Sequence, residues 1–142
     1  MIVGILFGAI AVAALAYAIW HHRRQAAAIA EIIRQATDQH VGDPSFQTFT
    51  GYSEGSGAAV QSMRAVALLD AAELQVVTIS RGAVFRTATT RKGMPHRLET
   101  SIRSRHFVMA DSRSGLTFLP MAKDRARIVE ALEALGYSVS SR

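Results

Sequence analysis

Ile2-Val3-Gly4-Ile5-Leu6-Phe7-Gly8-Ala9-Ile10-Ala11-Val12-Ala13-Ala14-Leu15-Ala16-Tyr17-Ala18-Ile19-Trp20 is the stretch that decides the architecture: its nineteen residues include no charged side chain. As a helix rising ~1.5 Å per residue it spans roughly 28 Å, close to the hydrocarbon thickness of a bilayer. Every face is apolar, which suits lipid better than the one-sided contact of a soluble helix. The positive charge follows the run, at His21-His22-Arg23-Arg24. That order predicts an uncleaved signal-anchor with its C-terminal side in the cytoplasm. A cleavable signal peptide is the competing reading, since Ala16-Tyr17-Ala18 resembles a small-x-small cleavage site. Such peptides carry positive charge ahead of the apolar run, where this sequence offers only the terminal amine.

Working outward, Trp20 suits the interface, and Arg23 and Arg24 are positioned to reach lipid phosphates. Gly4 and Gly8 form a GxxxG pair, extended by Ala11 and Ala18 and interrupted by Leu15. Small residues let a second helix approach closely, so the expected partner there is another membrane protein or a second copy. His21-His22 make a poor metal chelate, because adjacent helical residues point in different directions.

Three segments follow from this start: an anchor at 1–22, an amphipathic helical extension and linker at 23–43, and a soluble α+β domain at 44–142. In the extension, Ile29, Ile32, Ile33 and Ala36 make an apolar stripe, and Gly42-Asp43-Pro44 ends the helix. Phe46, Phe49 and Tyr52 bring an aromatic cluster. A short strand is expected at 45–50 and a turn or loop at 53–57. Residues 58–73 suit a helix by Ala content, yet 65–69, 70–73 and 74–80 read as strand, turn, strand, the preferred reading. Further strands are expected at 83–90, 97–103, 106–110 and 116–119, with a turn at Lys92-Gly93-Met94-Pro95. The last helix should have Pro120 at its first position and Asp124 favoured by its dipole. Ile128, Val129, Leu132 and Leu135 would face the core, and Gly136 is the C′ residue of a Schellman ending that packs Tyr137 back on Leu132. The expected fold is one transmembrane helix plus a mostly antiparallel sheet of five to seven strands closed by a C-terminal helix.

In element order, residues 46–136 resemble bacterial pleckstrin-homology-like domains, in which a bent sheet is closed by a terminal helix. The resemblance carries no motif and transfers no functional residue. Pilins also join an apolar helix to a sheet, but they have a charged leader and usually a Glu near the start of the helix, and this sequence has neither.

The chain has no cysteine, which excludes disulfides, catalytic thiols, Cys-ligated zinc and iron–sulfur clusters. Gly51-Tyr52-Ser53-Glu54-Gly55 matches G-x-S-x-G, the nucleophile elbow of α/β-hydrolases. Asp70 or Asp111 with His96 or His106 would complete a nominal triad. That chemistry needs an exposed serine on a strand-to-helix turn within a large parallel sheet, and about a hundred residues of short consecutive strands do not supply one. Ser53 is therefore expected in a plain loop and dispensable for folding. His40, His96 and His106 lack ligand spacing, and no phosphate-binding glycine loop occurs, so no cofactor, metal or catalytic residue is expected.

The formal net charge is +5, and it is concentrated in the middle of the chain. Residues 81–113 hold eight Arg or Lys against Glu99 and Asp111. Arg91, Lys92 and Arg97 flank the 93–95 turn and are the candidate contacts for lipid or a partner. Nucleic acid is not an expected partner, since nothing resembles a recognition helix or an aromatic-studded sheet. The leading expectation is a non-enzymatic, single-pass accessory or scaffold protein of a bacterial inner membrane, its cytoplasmic domain binding a partner in a membrane complex. The alternative is a sensor of anionic membrane lipid working through the basic face, and the remote third is a serine hydrolase using Ser53.

Overall fold

The computed structural model describes residues 2–54, 63–92, 98–103, 106–111 and 117–141, with side-chain surroundings for 2–54, 63–92 and 117–139. Helix α1 runs without a break over Ile2–Gln39. Its 38 residues make a rod about 57 Å long. It is long and apolar enough to cross a membrane, and none of its apolar window is buried against the rest of the protein. Gly42, at φ +82°, terminates the segment as expected.

The strands are β1 (Gln47–Glu54), β2 (Met63–Leu69), β3 (Glu73–Ser80), β4 (Ala83–Arg91), β5 (Leu98–Arg103), β6 (His106–Asp111), β7 (Thr117–Pro120) and β8 (Val139–Ser141). They form one sheet in the order β4-β3-β2-β1-β7-β6-β5-β8. Neighbours are antiparallel except β5 and β8, which run parallel. A 3₁₀ turn at Ala122–Asp124 leads into helix α2, Arg125–Ala134. A small α+β domain with a mostly antiparallel sheet and a C-terminal helix is thus present.

Two layers of packing explain why 65–69 is apolar at every position. Ala65, Ala67 and Leu69 join Phe49, Leu74, Phe118, Ile128 and Leu132 in the core beneath α2. Val66, on the opposite face, packs with Ile29 and Ile79, flanked by Ile32, Ile33 and Leu68. A strand buried on both faces loses the alternation that marks a half-exposed one. The expected stripe on 29–36 therefore docks on the outer face of β2 and β3.

Several local expectations are corrected. The strand placed at 45–50 runs over Gln47–Glu54, so Ser53 lies in β1, not in a loop. Pro120 does not open the last helix: it ends β7, opposite Gly51, and the helix begins five residues later. Asp124 makes no side-chain cap bond. It is 4% exposed, and its carboxylate accepts from Thr50 N at 3.2 Å and Arg127 Nη2 at 2.9 Å, tying β1 to α2. The strand count exceeds the expectation because β8 follows α2 and returns to the sheet edge at β5. The Schellman ending is present: Tyr137 N donates to Leu132 O at 3.0 Å and Gly136 N to Glu133 O at 3.0 Å, with Gly136 at φ +78°.

Candidate functional site

The most chemically loaded region is the junction where α1 meets the end of the sheet. The two elements run side by side. Arg24 of α1 touches the β3–β4 turn, since a Cβ on Gly82 would lie 2.7 Å from Arg24 Cγ. At the other end, His40 Nε2 lies 3.1 Å from Asp70 Oδ2 in the β2–β3 turn. Sixteen helical residues cover about 24 Å, and seven strand steps from Ser80 to Glu73 cover about 23 Å. The two rulers agree, so one end of the domain lies beside Trp20–Arg24 and the other roughly 24 Å along the helix axis.

At the Trp20 end, Ser80 pairs with Ala83 across a two-residue turn. Both central residues have positive φ, Arg81 at 53° and Gly82 at 77°. Type I′ hairpins need that geometry and prefer Asn or Gly, so arginine is strained at position 81. Phe85 is a bulge, unpaired between the Thr78–Arg86 and Ile79–Val84 partners. Val84 is 56% exposed and Phe85 65%. Between this end of the sheet and α1 lies an open cleft of about 500 Å³, lined by Tyr17, His21, Tyr52, Arg64 and Arg81 among others. The Arg64 guanidinium sits 5.7 Å from the Tyr52 ring centroid. Its Nε is buried and has no hydrogen-bond partner among the described residues.

The far end is a structural lock. His40 Nδ1 donates to Ala36 O at 2.7 Å, and the ring stacks on Phe46 at 4.1 Å. A carbonyl only accepts, so Nδ1 carries a proton. The bond to Ala36 O, opposed by burial and assisted by the Asp70 carboxylate, raises the His40 pKa above its usual 6.5. Burial of Asp70 works against its ionisation, but the N–H groups of Glu73 and Ala72, together with His40, hold its carboxyl below the usual value. The Asp70 carbonyl also accepts from Tyr137 Oη at 2.9 Å, which ties the chain after α2 to the same turn. Burial pushes the Tyr137 phenol up to about 12.

The residues singled out by sequence do not form one site. Gly4, Gly8, Ala11 and Ala18 lie on exposed α1, and a Cβ on Gly4 or Gly8 would meet nothing within 4 Å. Arg23 and Arg24 are exposed, and Arg24 covers the Trp20 ring at 5.3 Å. Arg91 and Lys92 lie at the far end, where Arg91 Nε is 3.9 Å from Glu73 Oε2 and Lys92 neighbours Gly136. Arg97, His96 and the 93–95 turn lie outside the described residues, as do the side chains of His106 and Asp111. Sequence reasoning passed over Arg64, and it counted Arg81 only as one of the eight basic residues of 81–113. An arginine followed by glycine between two strands was the available signal for a hairpin tip.

Ser53 is 3% exposed, and its hydroxyl shares a 2.8 Å hydrogen bond with that of Thr78. Asp70 stands seven residues beyond Met63, the β2 partner of Ser53, or about 23 Å along the strand. Gly51 also has a structural cause: a Cβ there would collide with Leu119 O across the β1–β7 seam. The G-x-S-x-G spacing thus reflects one close backbone approach and one buried hydroxyl pair. Among the described residues, no three His, Asp or Glu side chains converge as metal ligands. No protein-family model matches the chain, and no curated protein matches it in sequence.

Proposed function

We propose that this is a non-enzymatic, single-pass accessory or scaffold protein of a bacterial inner membrane, whose cytoplasmic α+β domain binds a partner protein in a membrane complex. The observation that carries the reading is the continuity of α1. The N-terminal half of the helix is wholly exposed, and Ile29 and Ala36 in the other half are buried against the rest of the protein. A rigid mount of this kind gives the domain a fixed orientation on its anchor, which a presenting scaffold needs and a freely diffusing enzyme does not. The charge order after Trp20 supports the cytoplasmic side. The exposed Gly4, Gly8, Ala11 and Ala18 supply a small-residue face for another membrane helix. The pleckstrin-homology-like comparison gains support from the helix closing one face of the sheet, and remains a matter of element order.

Extraction in mild detergent, affinity capture and mass spectrometry test the proposal. A membrane protein recovered in fixed ratio, and lost on Gly4→Leu/Gly8→Leu or on a change to the domain surface, is the expected result. Recovery of the chain alone from crosslinked and uncrosslinked membranes would count against it.

A second reading, contact with anionic lipid, is favoured by the exposed Val84 and Phe85 beside Arg81 and Arg24. It moves the lipid-facing residues from Arg91, Lys92 and Arg97 to the β3–β4 tip. The burial of Ser53 lends the hydrolase reading no support.

A further inference from the structure

We propose that the cleft between α1 and the β3–β4 end of the sheet binds the phosphate of an anionic phospholipid, with Arg64 and Arg81 as its ligands. The inference rests on the reading of Ile2–Trp20 as a membrane span. The cleft volume of about 500 Å³ falls in the roughly 300–1,000 Å³ range of small-ligand sites. Its charged lining is of one sign: Arg64 and Arg81 face it, and no carboxylate borders it among the described residues. A buried N–H without an acceptor carries the full cost of its lost hydration. Among the described residues Arg64 Nε is such a donor, and a turn of the guanidinium toward a phosphate in the cleft would satisfy it. Charge-assisted bonds from guanidinium to phosphate are also the strongest of their type.

Depth selects the source of the phosphate. Tyr17 and His21 line the same cleft and bracket Trp20, the last residue of the apolar run. With that run filling the hydrocarbon, the cleft opens where lipid phosphates lie. Ile10 and Leu6, exposed on the Tyr17 face of α1, continue from it as a track for acyl chains. Arginine held at a left-handed φ in position 81, where asparagine or glycine would fit without strain, agrees with a ligand role for that side chain.

The test reconstitutes the full chain in phosphatidylcholine bilayers and adds spin-labelled phosphatidylglycerol or spin-labelled phosphatidylcholine. Electron paramagnetic resonance measures the motionally restricted fraction of each. Phosphatidylglycerol should associate in preference to phosphatidylcholine, by about 5-fold for each arginine engaged. Arg64→Gln and Arg81→Asn should each reduce the preference by about that factor. Arg81→Asn also relieves the turn, so it keeps the fold and its far-ultraviolet dichroism. Lys92→Gln, at the far end of the domain, should leave the preference unchanged. Equal restriction of the two lipids, or a preference insensitive to Arg64 and Arg81, overturns the site. Loss of the preference on adding inorganic phosphate overturns the lipid assignment in favour of a soluble anion. Absence of any restricted lipid of either kind means that the chain is not in the bilayer, which is a failure of the anchor reading and separable from failure of the cleft.

Discussion

Replacing Ser53 with alanine separates a buried structural hydroxyl from a catalytic or loop serine. Ser53 and Thr78 are each 3% exposed, and their hydroxyls are 2.8 Å apart. Ser53→Ala takes that partner from the buried Thr78 hydroxyl, which should cost about 1–3 kcal/mol. With a urea dependence of about 1–3 kcal/mol/M for a small domain, the unfolding midpoint should fall by roughly 0.3–3 M. Thr78→Val should cost a similar amount, because it strips the partner from Ser53. The Ser53→Ala/Thr78→Val pair replaces both groups by apolar ones and should cost much less than the sum of the single changes. The assay is urea unfolding of the full chain in a non-ionic detergent, followed by circular dichroism of the strands. A single variant within about 0.5 kcal/mol of the parent would put Ser53 on the surface. Strict additivity would show that the two hydroxyls do not interact.

Four further outcomes are expected. Leu132→Ala should destabilise the domain by about 2–5 kcal/mol in the same assay, because the side chain is fully buried; a loss below about 0.5 kcal/mol would remove α2 from the core. Gly51→Ala should cost at least as much as ordinary overpacking, about 1–3 kcal/mol, because the clash is with the Leu119 carbonyl, not with a movable side chain; an unchanged midpoint would refute the β1–β7 register. The contribution of His40 should be fully present below its ordinary value near 6.5 and be lost as pH rises through its raised folded value, while that of Asp70 should be lost only as pH falls below about 3.8. The urea midpoint should accordingly decline on the alkaline side and His40→Gln should flatten that decline; a midpoint that climbs from neutral to mildly alkaline pH would contradict it. Finally, a fluorescent protein fused after Arg142 should be bright and a periplasmic phosphatase inactive, with Ile2–Trp20 retained in the mature chain; the reverse pair, or an N-terminus near Ile19, would overturn the topology or the anchor.

Local and periodic signals were readable because they depend on only a few consecutive residues. Nineteen uncharged residues make an apolar helix wherever they occur, and Ile29, Ile32, Ile33 and Ala36 fall on one helical face by 3.6-residue periodicity alone. The Schellman ending at Gly136 and Tyr137 followed from one glycine after an apolar helical pattern. The two-sided burial of 65–69 did not, because a continuous apolar run is equally a helix or a doubly covered strand until its neighbours are known. The same holds for the aromatic cluster: Phe49 enters the core, Phe46 stacks on His40, and Tyr52 lies beneath Arg64.

What residue order settled by itself was where the apolar helix, the amphipathic stripe after it and the charge lie along the chain. What only the tertiary structure decided was adjacency. It turned a hydrolase-like G-x-S-x-G into a backbone contact and a buried hydroxyl pair, by pairing β1 with β7 and laying Ser53 beside Thr78. It sent Arg91 and Lys92 to the end of the domain remote from Trp20, and it brought Arg64 and Arg81, seventeen positions apart, to one cleft beside the apolar helix. The physical reason is the register between α1 and the sheet. The stretch from Arg24 to His40 and strand β3 match in length and run side by side, so each hairpin end is assigned to one level of the helix, and no short-range pattern in the sequence encodes which end that is.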